Sequence, residues 1–480
     1  MYEYDIPPKP MAPTAIDQDR WEHSALRRRI MEGKWENDLE NELLRHIPAD
    51  RRESWGPCDL SSNVLSNVCR QLSVLYSSSP GVTHESFDTA PLVGREGIIT
   101  KAGLWPMMQR TQQMTLALRE MIIRIDAPKN KGLQFRLVSP DYVYIEVDDD
   151  SPDIARYYQE LRLRFNPHTG KGHWVADCID IRDPNNPKMA MYEVGEDGSL
   201  LKDVSDIYLG TPLIGEDYPY RKRDGTPFLP IEIYHAERTG SLWNPYDASQ
   251  LAYGSLTSAV LWSFFLHVIR DASWPQRYGV GITLNGLSGP EQNTIARRSS
   301  VTTDPSSILM FSNDQDMQGQ AMIGQFQPAC DPEKLLESIS KYELRVSTAA
   351  GISGDILRQS GDPRSGYAIS VSREGQREIS KRFAPIFRAS DESLIAKAAM
   401  MSNLFLGLPQ MPESGYRVQY QPIPLSPEET KAQREDVIQK LDTGLISPVQ
   451  AIQILNPDLD VDSAKLELLR IRKERAEFMI

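Results

Sequence analysis

The sequence predicts an α+β fold in which helices outnumber strands, and three observations carry that prediction. Long stretches repeat apolar residues at helical spacing, most clearly after position 331. A middle stretch, 133 to 209, alternates apolar and polar residues as half-buried strands do. A third stretch, 275 to 330, places strand-like runs and Asn-Gly turn signals between two helical segments. With 480 residues and 40% hydrophobic content, the chain can bury a sizeable core divided among two or more domains or subdomains.

The elements follow in order. The opening MYEYDIPPKPMAP is acidic and proline-rich, lacks the pattern of a signal peptide, and reads as an extended arm. Residues 17 to 46 read as helical; the run Arg27, Arg28, Arg29 there is expected to be a solvated face, with a phosphate or acidic-partner grip as the rarer alternative. Further helices are expected over 60 to 76 and 103 to 125, the latter with methionines placed for packing. LQFRLVSPDYVYIEVDDD reads as strand, and two hairpins follow, turning at Asn166 to Gly172 and at Gly195 to Gly198. The triplet Asp148, Asp149, Asp150 lacks the glycine and distal glutamate of a calcium loop and reads as a solvated turn.

A strongly apolar helix is expected from 247 to 272, ending before Trp274 and Pro275. Its longest apolar run, AVLWSFFLHVI, falls short of the ~20 residues of a membrane span. YGVGITLNG and SSILMF read as strands, and SGPEQNTIARRSS between them as a short helix. Asp331 then caps a helix with Pro332 at its first position and a stripe of Leu335, Leu336, Ile339, Tyr342, Leu344 and Val346. A glycine-rich loop, GISGDILRQSGDPRSG, leads into a helix of roughly 60 Å, with a kink expected at Pro385. Ser426 and Ser447 each begin a capping box followed by proline, and an amphipathic helix ends the chain.

The chemistry implied is sparse. The net charge is −13 and the pI about 5.2, which argues against a surface that coats DNA but not against a wall that DNA slides past. Cys58, Cys69, Cys178 and Cys330 form no C-x-x-C pair and read as free, mostly buried thiols of a reducing compartment. His168 and His173 lack a third ligand at metal spacing. No phosphate loop, nucleophile elbow or zinc-protease motif occurs. His235, near Glu232 and Glu237, is the one acid–base candidate, and a structural histidine is the stronger reading. The expectation is a protein that is not an enzyme and needs no cofactor and no metal.

The order "helix, GIS, loop ending in SG, long amphipathic helix" resembles the portal proteins of tailed bacteriophages. LSSNVLSNVCRQLSVLYSSSP, FRLVSPDYVYIEVDDDSPDIARYYQELRLRF, NPYDASQLAYGSLTSAVLWSFFLHVIRDASWPQRYGVG and LSPEETKAQREDVIQKLDTGLISPVQAIQILNP are similar to portal wing, wing β region, stem and C-terminal segments in the same order. The resemblance implies an N-terminal arm and helix-rich wing with a β region over 1–246, a stem helix over 247–274 and a small α/β clip over 275–330. It implies a second stem helix over 331–352, a tunnel loop over 353–366, a long kinked helix returning to the wing over 367–425 and a helical crown over 426–480. Asp355, Arg358, Asp362 and Arg364 would then face the channel, and Arg297 and Arg298 would meet the packaging motor. The resemblance also implies a ring of twelve copies at one capsid vertex of the virion, assembled in the host cytoplasm. Double-stranded DNA would pass through it for packaging and ejection. Its partners would be the terminase large subunit, then head-completion or adaptor proteins, with the major capsid and scaffolding proteins around it. A different virion adaptor, of tail or baseplate, is one alternative; a cytoplasmic hydrolase acting around His235 and Glu237 is another.

Overall fold

A computed structural model describes residues 15–47, 58–128, 131–165, 170, 172–195, 198–209, 213–243, 249–273, 277–280, 308–311, 322–325, 331–350, 366–406, 410–423, 427–456 and 461–478. The fold is mixed helix and sheet. It opens with α1 (Ala15–Glu32) and α2 (Glu36–Leu44) rather than one helix, because Gly33 at φ 75° ends α1. The Lys34 and Gly33 N–H groups donate back to the Arg29 and Ile30 carbonyls, the hydrogen-bond pattern of a left-handed glycine stop.

α3 (Val64–Leu72) is shorter than its apolar pattern predicts. The Asn63 side chain accepts from the Ser66 N–H and fixes the start. Beyond β1 (Gly81–His84), α4 (Ala90–Val93) and α5 (Ile98–Lys101) comes α6 (Leu104–Leu118), which corrects the expectation of a helix to 125. Arg119 takes φ 77°, the chain reverses its habit, and β2 (Glu120–Asp126) follows. Ile122, Ile123 and Ile125 are stiff at χ1 and pack better on a pleat than on a helix.

β3 (Gln134–Val138) and β4 (Val143–Val147) divide what reads as one strand, separated by a tight turn at Pro140–Tyr142. β5 (Ala155–Phe165) and β6 (Gly172–Asp180) form the first expected hairpin; β7 (Lys188–Val194) and β8 (Leu200–Asp203) form the second. α7 (Ser205–Tyr208), β9 (Leu213–Ile214) and β10 (Ile231–His235) complete this part. One sheet runs β4-β5-β6-β7-β8, with β9 also on β7; a second runs β10-β2-β3. Buried Arg124 of β2 joins the two sheets, reaching Glu160 at 3.1 Å and Asp177 at 2.7 Å.

α8 (Ser249–Ser273) leads to a small sheet of β11 (Arg277–Val280), β12 (Ile308–Phe311) and β13 (Met322–Gln325), ordered β12-β11-β13. The expected short helix between the first two strands, with Arg297 and Arg298, lies outside the described residues. α9 (Pro332–Ala349) begins as expected, with the Asp331 carboxylate accepting from the Glu333 N–H at 3.0 Å. α10 (Gly366–Phe405) is a single 40-residue helix that continues through Pro385. β14 (Tyr416–Gln419) pairs with β1, and α11 (Pro427–Asp442), α12 (Pro448–Leu455) and α13 (Val461–Phe478) finish the chain. Ser447 and Gln450 form the expected capping box; Ser426 lies outside the described residues.

The main core gathers side chains of α1 to α3, α6, β2, β10, α8 and α10. At its centre Asp391 of α10 is buried beneath three tyrosines. Tyr76 donates to both its oxygens at 2.9 Å, Tyr234 to Oδ1 at 2.7 Å and Tyr420 to Oδ2 at 2.7 Å. Burial pushes the Asp391 carboxyl up to about 7, the hydroxyls pulling against it and nearby Glu232 adding to it. In the unfolded chain an aspartate titrates near 4, so the folded state holds this proton longer. Its stabilising contribution is complete below about pH 4 and is lost as pH rises through 7. Asp391→Asn, followed by chemical denaturation from pH 4 to pH 8, should therefore gain stability relative to the native chain as pH rises to about 7, then hold a constant difference. A pH-independent difference would contradict the assignment.

Candidate channel elements and clefts

Two helices and a small sheet form the element that the sequence resemblance assigns to the stem and clip. α8 and α9 pack along each other. Their closest approach is at Gly254, where an added Cβ would lie 2.6 Å from Val346 Cγ1. The pair is also tied by Glu343 of α9, whose Oε1 accepts from Ser62 at 2.6 Å, Ser258 at 2.5 Å and Trp262 Nε1 at 2.9 Å. Ser255 and Ser263 of α8 accept from the N–H groups of Leu65 and Asp59, at 2.8 and 2.9 Å. These contacts bond one face of α8, from Ser255 to Ser263, to the rest of the chain.

Other positions of α8 are open, and Tyr253 is 49% exposed. Leu266 is 49% exposed, and Leu261, Val268 and Ile269 are half-buried. Among the described residues α8 is long and apolar enough to cross a membrane by length and composition, which the sequence expectation had discounted. Ser255 and Ser263 bond it to Leu65 and Asp59 of the same chain.

The expected channel-facing residues Asp355, Arg358, Asp362 and Arg364 lie outside the described residues, between α9 and α10. Pro385 lies on α10, well beyond that segment. The Arg27–Arg29 run is not a solvated face. Arg27 is buried, Arg28 reaches Asp141 at 2.9 Å and stacks over Tyr142, and Arg29 grips Asp38 at 2.7 and 2.8 Å. These partners lie outside the local helix, so periodicity could not reveal them. Cys69 and Cys178 are buried, and burial pushes both thiols up to about 12; Cys58 is half-buried. His173 meets the Tyr208 hydroxyl at 2.9 Å, a structural contact. Asp148 holds Arg156 at 2.8 Å and accepts from the Asp150 N–H, as a solvated turn does.

His235 lines a cleft of about 550 Å³ on the free edge of β10. Its Nδ1 is buried without a hydrogen-bond partner, and burial, with Arg238 beside it, lowers its pKa to about 4. Glu232 is engaged by Lys397 at 2.8 Å and Ser393 at 2.6 Å, and Glu237 by Arg119 at 3.1 Å. The three side chains do not assemble into an acid–base pair.

No family model and no curated protein matches the chain. A solved structure described as "Neck of native GTA particle computed with C12 symmetry" is similar over 82% of this chain and 90% of that one, at a TM-score of 0.42 and 11% identity. A likeness that distant leaves the functional reading to this chain's own residues.

Gly254→Ala should destabilise the chain by about 1–3 kcal/mol in urea unfolding, because β-branched Val346 cannot step aside. Adding Val346→Ala should recover part of that loss. A single variant as stable as the parent would contradict the tight helix pair.

Proposed function

We propose that the chain is a portal subunit of a tailed phage: copies close into a ring, and double-stranded DNA passes through its centre during packaging and ejection. The observation that carries this reading is the divided α8 helix. Its serine-bearing face, Ser255 to Ser263, is bonded to α9 and to residues 59–65, while Leu266, 49% exposed, belongs to an apolar surface that the described residues leave half-uncovered. A neighbouring copy is the natural cover, because a repeated head-to-tail contact closes into a ring when its rotation closes. The segment order quoted above supports the same reading, and so does the small sheet inserted between the two helices. The number twelve, the terminase at the clip, the head-completion proteins that follow and the virion location come from the portal resemblance. In this reading the chain hydrolyses nothing, and the motor supplies the work.

Two experiments test the proposal. Negative-stain imaging of the purified chain should show rings with an axial hole. Leu266→Asp should convert them to single subunits with unchanged far-UV circular dichroism, since Leu266 is already half-exposed. A compact single-chain particle without a hole would overturn the reading. Deleting residues 358 to 363 should leave ring assembly intact and impair DNA packaging. Normal packaging by such rings would remove the channel-facing role of that segment.

A further inference from the structure

A second cleft, of about 520 Å³, lies between the α1 and α6 helices on one side and strands β3 and β5 on the other. Its wall carries Arg28, Lys34, Arg110, Arg136 and Arg162 against two carboxylates, Glu32 and Glu160. On a chain of net charge −13, such a concentration of cations runs against the whole molecule.

The carboxylates are already committed. Glu160 is buried and accepts from Arg136, from Arg124 at 3.1 Å and from Tyr158 at 2.8 Å. Burial alone would raise its pKa, but Arg136 and Arg124 hold it down to about 2, so it stays ionised and occupied. Glu32 is shared between Arg28 at 3.4 Å and Lys34 at 3.5 Å. Asp126, Asp141 and Asp177 stand behind the wall, paired with Arg124, Arg136 and Arg28.

Among the described residues, three cations are only loosely paired. Arg162 approaches carboxylate oxygens only at 3.8 Å (Glu160) and 3.9 Å (Asp177), although its side chain is just 26% exposed. Arg110 reaches the Met31 carbonyl at 3.4 Å. Lys34 has only the 3.5 Å approach to Glu32. A half-buried guanidinium crowded by other guanidiniums is costly unless an anion completes it; here burial and then Arg136 lower the Arg162 pKa. Planar guanidinium forks suit tetrahedral oxyanions, and several cations lining one cleft favour a multiply charged one over a single carboxylate. Trp174, stacked on Tyr142 at 6.2 Å and 20°, adds an aromatic wall beside them.

We propose that this cleft binds a phosphate group, with Arg162, Arg110 and Lys34 as its ligands. The phosphate is either free or the terminal monoester of a nucleotide or DNA end; the volume leaves room for more than the ion itself. The site does not depend on ring formation.

The test is titration calorimetry on the full chain at fixed ionic strength set with chloride. The probes are inorganic phosphate, AMP, and a short duplex with and without 5′-phosphates. Saturable phosphate binding is expected, weakened about tenfold by Arg162→Gln and less by Lys34→Gln. Lys34 is 75% exposed, so its variant keeps the test readable should Arg162→Gln fail to fold. Tighter binding of AMP, or of the 5′-phosphorylated duplex over the unphosphorylated one, identifies the monoester source; equal binding of inorganic phosphate identifies the free ion. No binding by the native chain overturns the proposal, as does binding that neither variant weakens. Preference for a glutamate-rich peptide over phosphate also overturns it, and would make the cleft a protein-docking surface.

Discussion

The structure depends on the polar seam between the long helix α10 and the edge strand β10. Asp391 is held by hydroxyls from three parts of the chain, and the seam continues along α10 from Ser390 to Lys397. Ser390 lies 3.4 Å from the Ile233 carbonyl, Ser393 donates to Glu232, and Lys397 donates to both Glu232 and the Ile231 carbonyl. Apolar packing alone tolerates sliding of a helix along its axis. Directional bonds from several residues to fixed strand atoms do not. The segment from Ser390 to Lys397 of this 40-residue helix is thereby fixed in register against β10.

The α8–α9 pair uses a different device. Its partners approach through a glycine and meet at one carboxylate served by two hydroxyls and an indole. Ser255, Ser258 and Ser263 line the bonded face of α8, while Leu266 stands half-exposed. Serines bonded into the fold gain nothing from a second copy, whereas exposed leucine gains by leaving water. The same helix thus carries a face bonded within the chain and an apolar side chain left half in water.

How much of this was legible in the sequence follows from how local each signal is. The starts of α9 and α12 are written in adjacent residues, Asp331 before Pro332 and Ser447 before Pro448, and both were read correctly. The hairpins were legible because alternation and turn glycines lie together. The end of α6 was not: Leu116 to Ile125 is a mixed stretch, LALREMIIRI, whose apolar residues suit either period, and the deciding positive φ is at Arg119, a residue with no bias toward it. Asp391 gave no sign of its role, because Tyr76 is 315 positions away and Tyr234 is 157. The same distance hid the pairing of Arg28 with Asp141 and the cation-rich cleft. The proposed channel and clip residues, Asp355 to Arg364 and Arg297 to Arg298, lie outside the described residues, so their assignment rests on order along the chain.

Two buried carboxylates show how the fold divides its sensitivity to acid. Glu160 joins the two sheets through guanidiniums, which carry charges opposite to its own; its contribution is present above about pH 4 and fades as pH falls through 2. Asp391 joins the long helix to Tyr234 of β10 and to Tyr76 and Tyr420 through neutral hydroxyls, which stabilise an anion without compensating its charge. Its contribution therefore runs the other way and fades as pH rises through 7. The sheet-to-sheet joint is constant across the neutral range, whereas the helix joint changes protonation within it. Any proton-linked adjustment near neutral pH then acts where α10 meets the sheet, and leaves the frame that carries it unmoved.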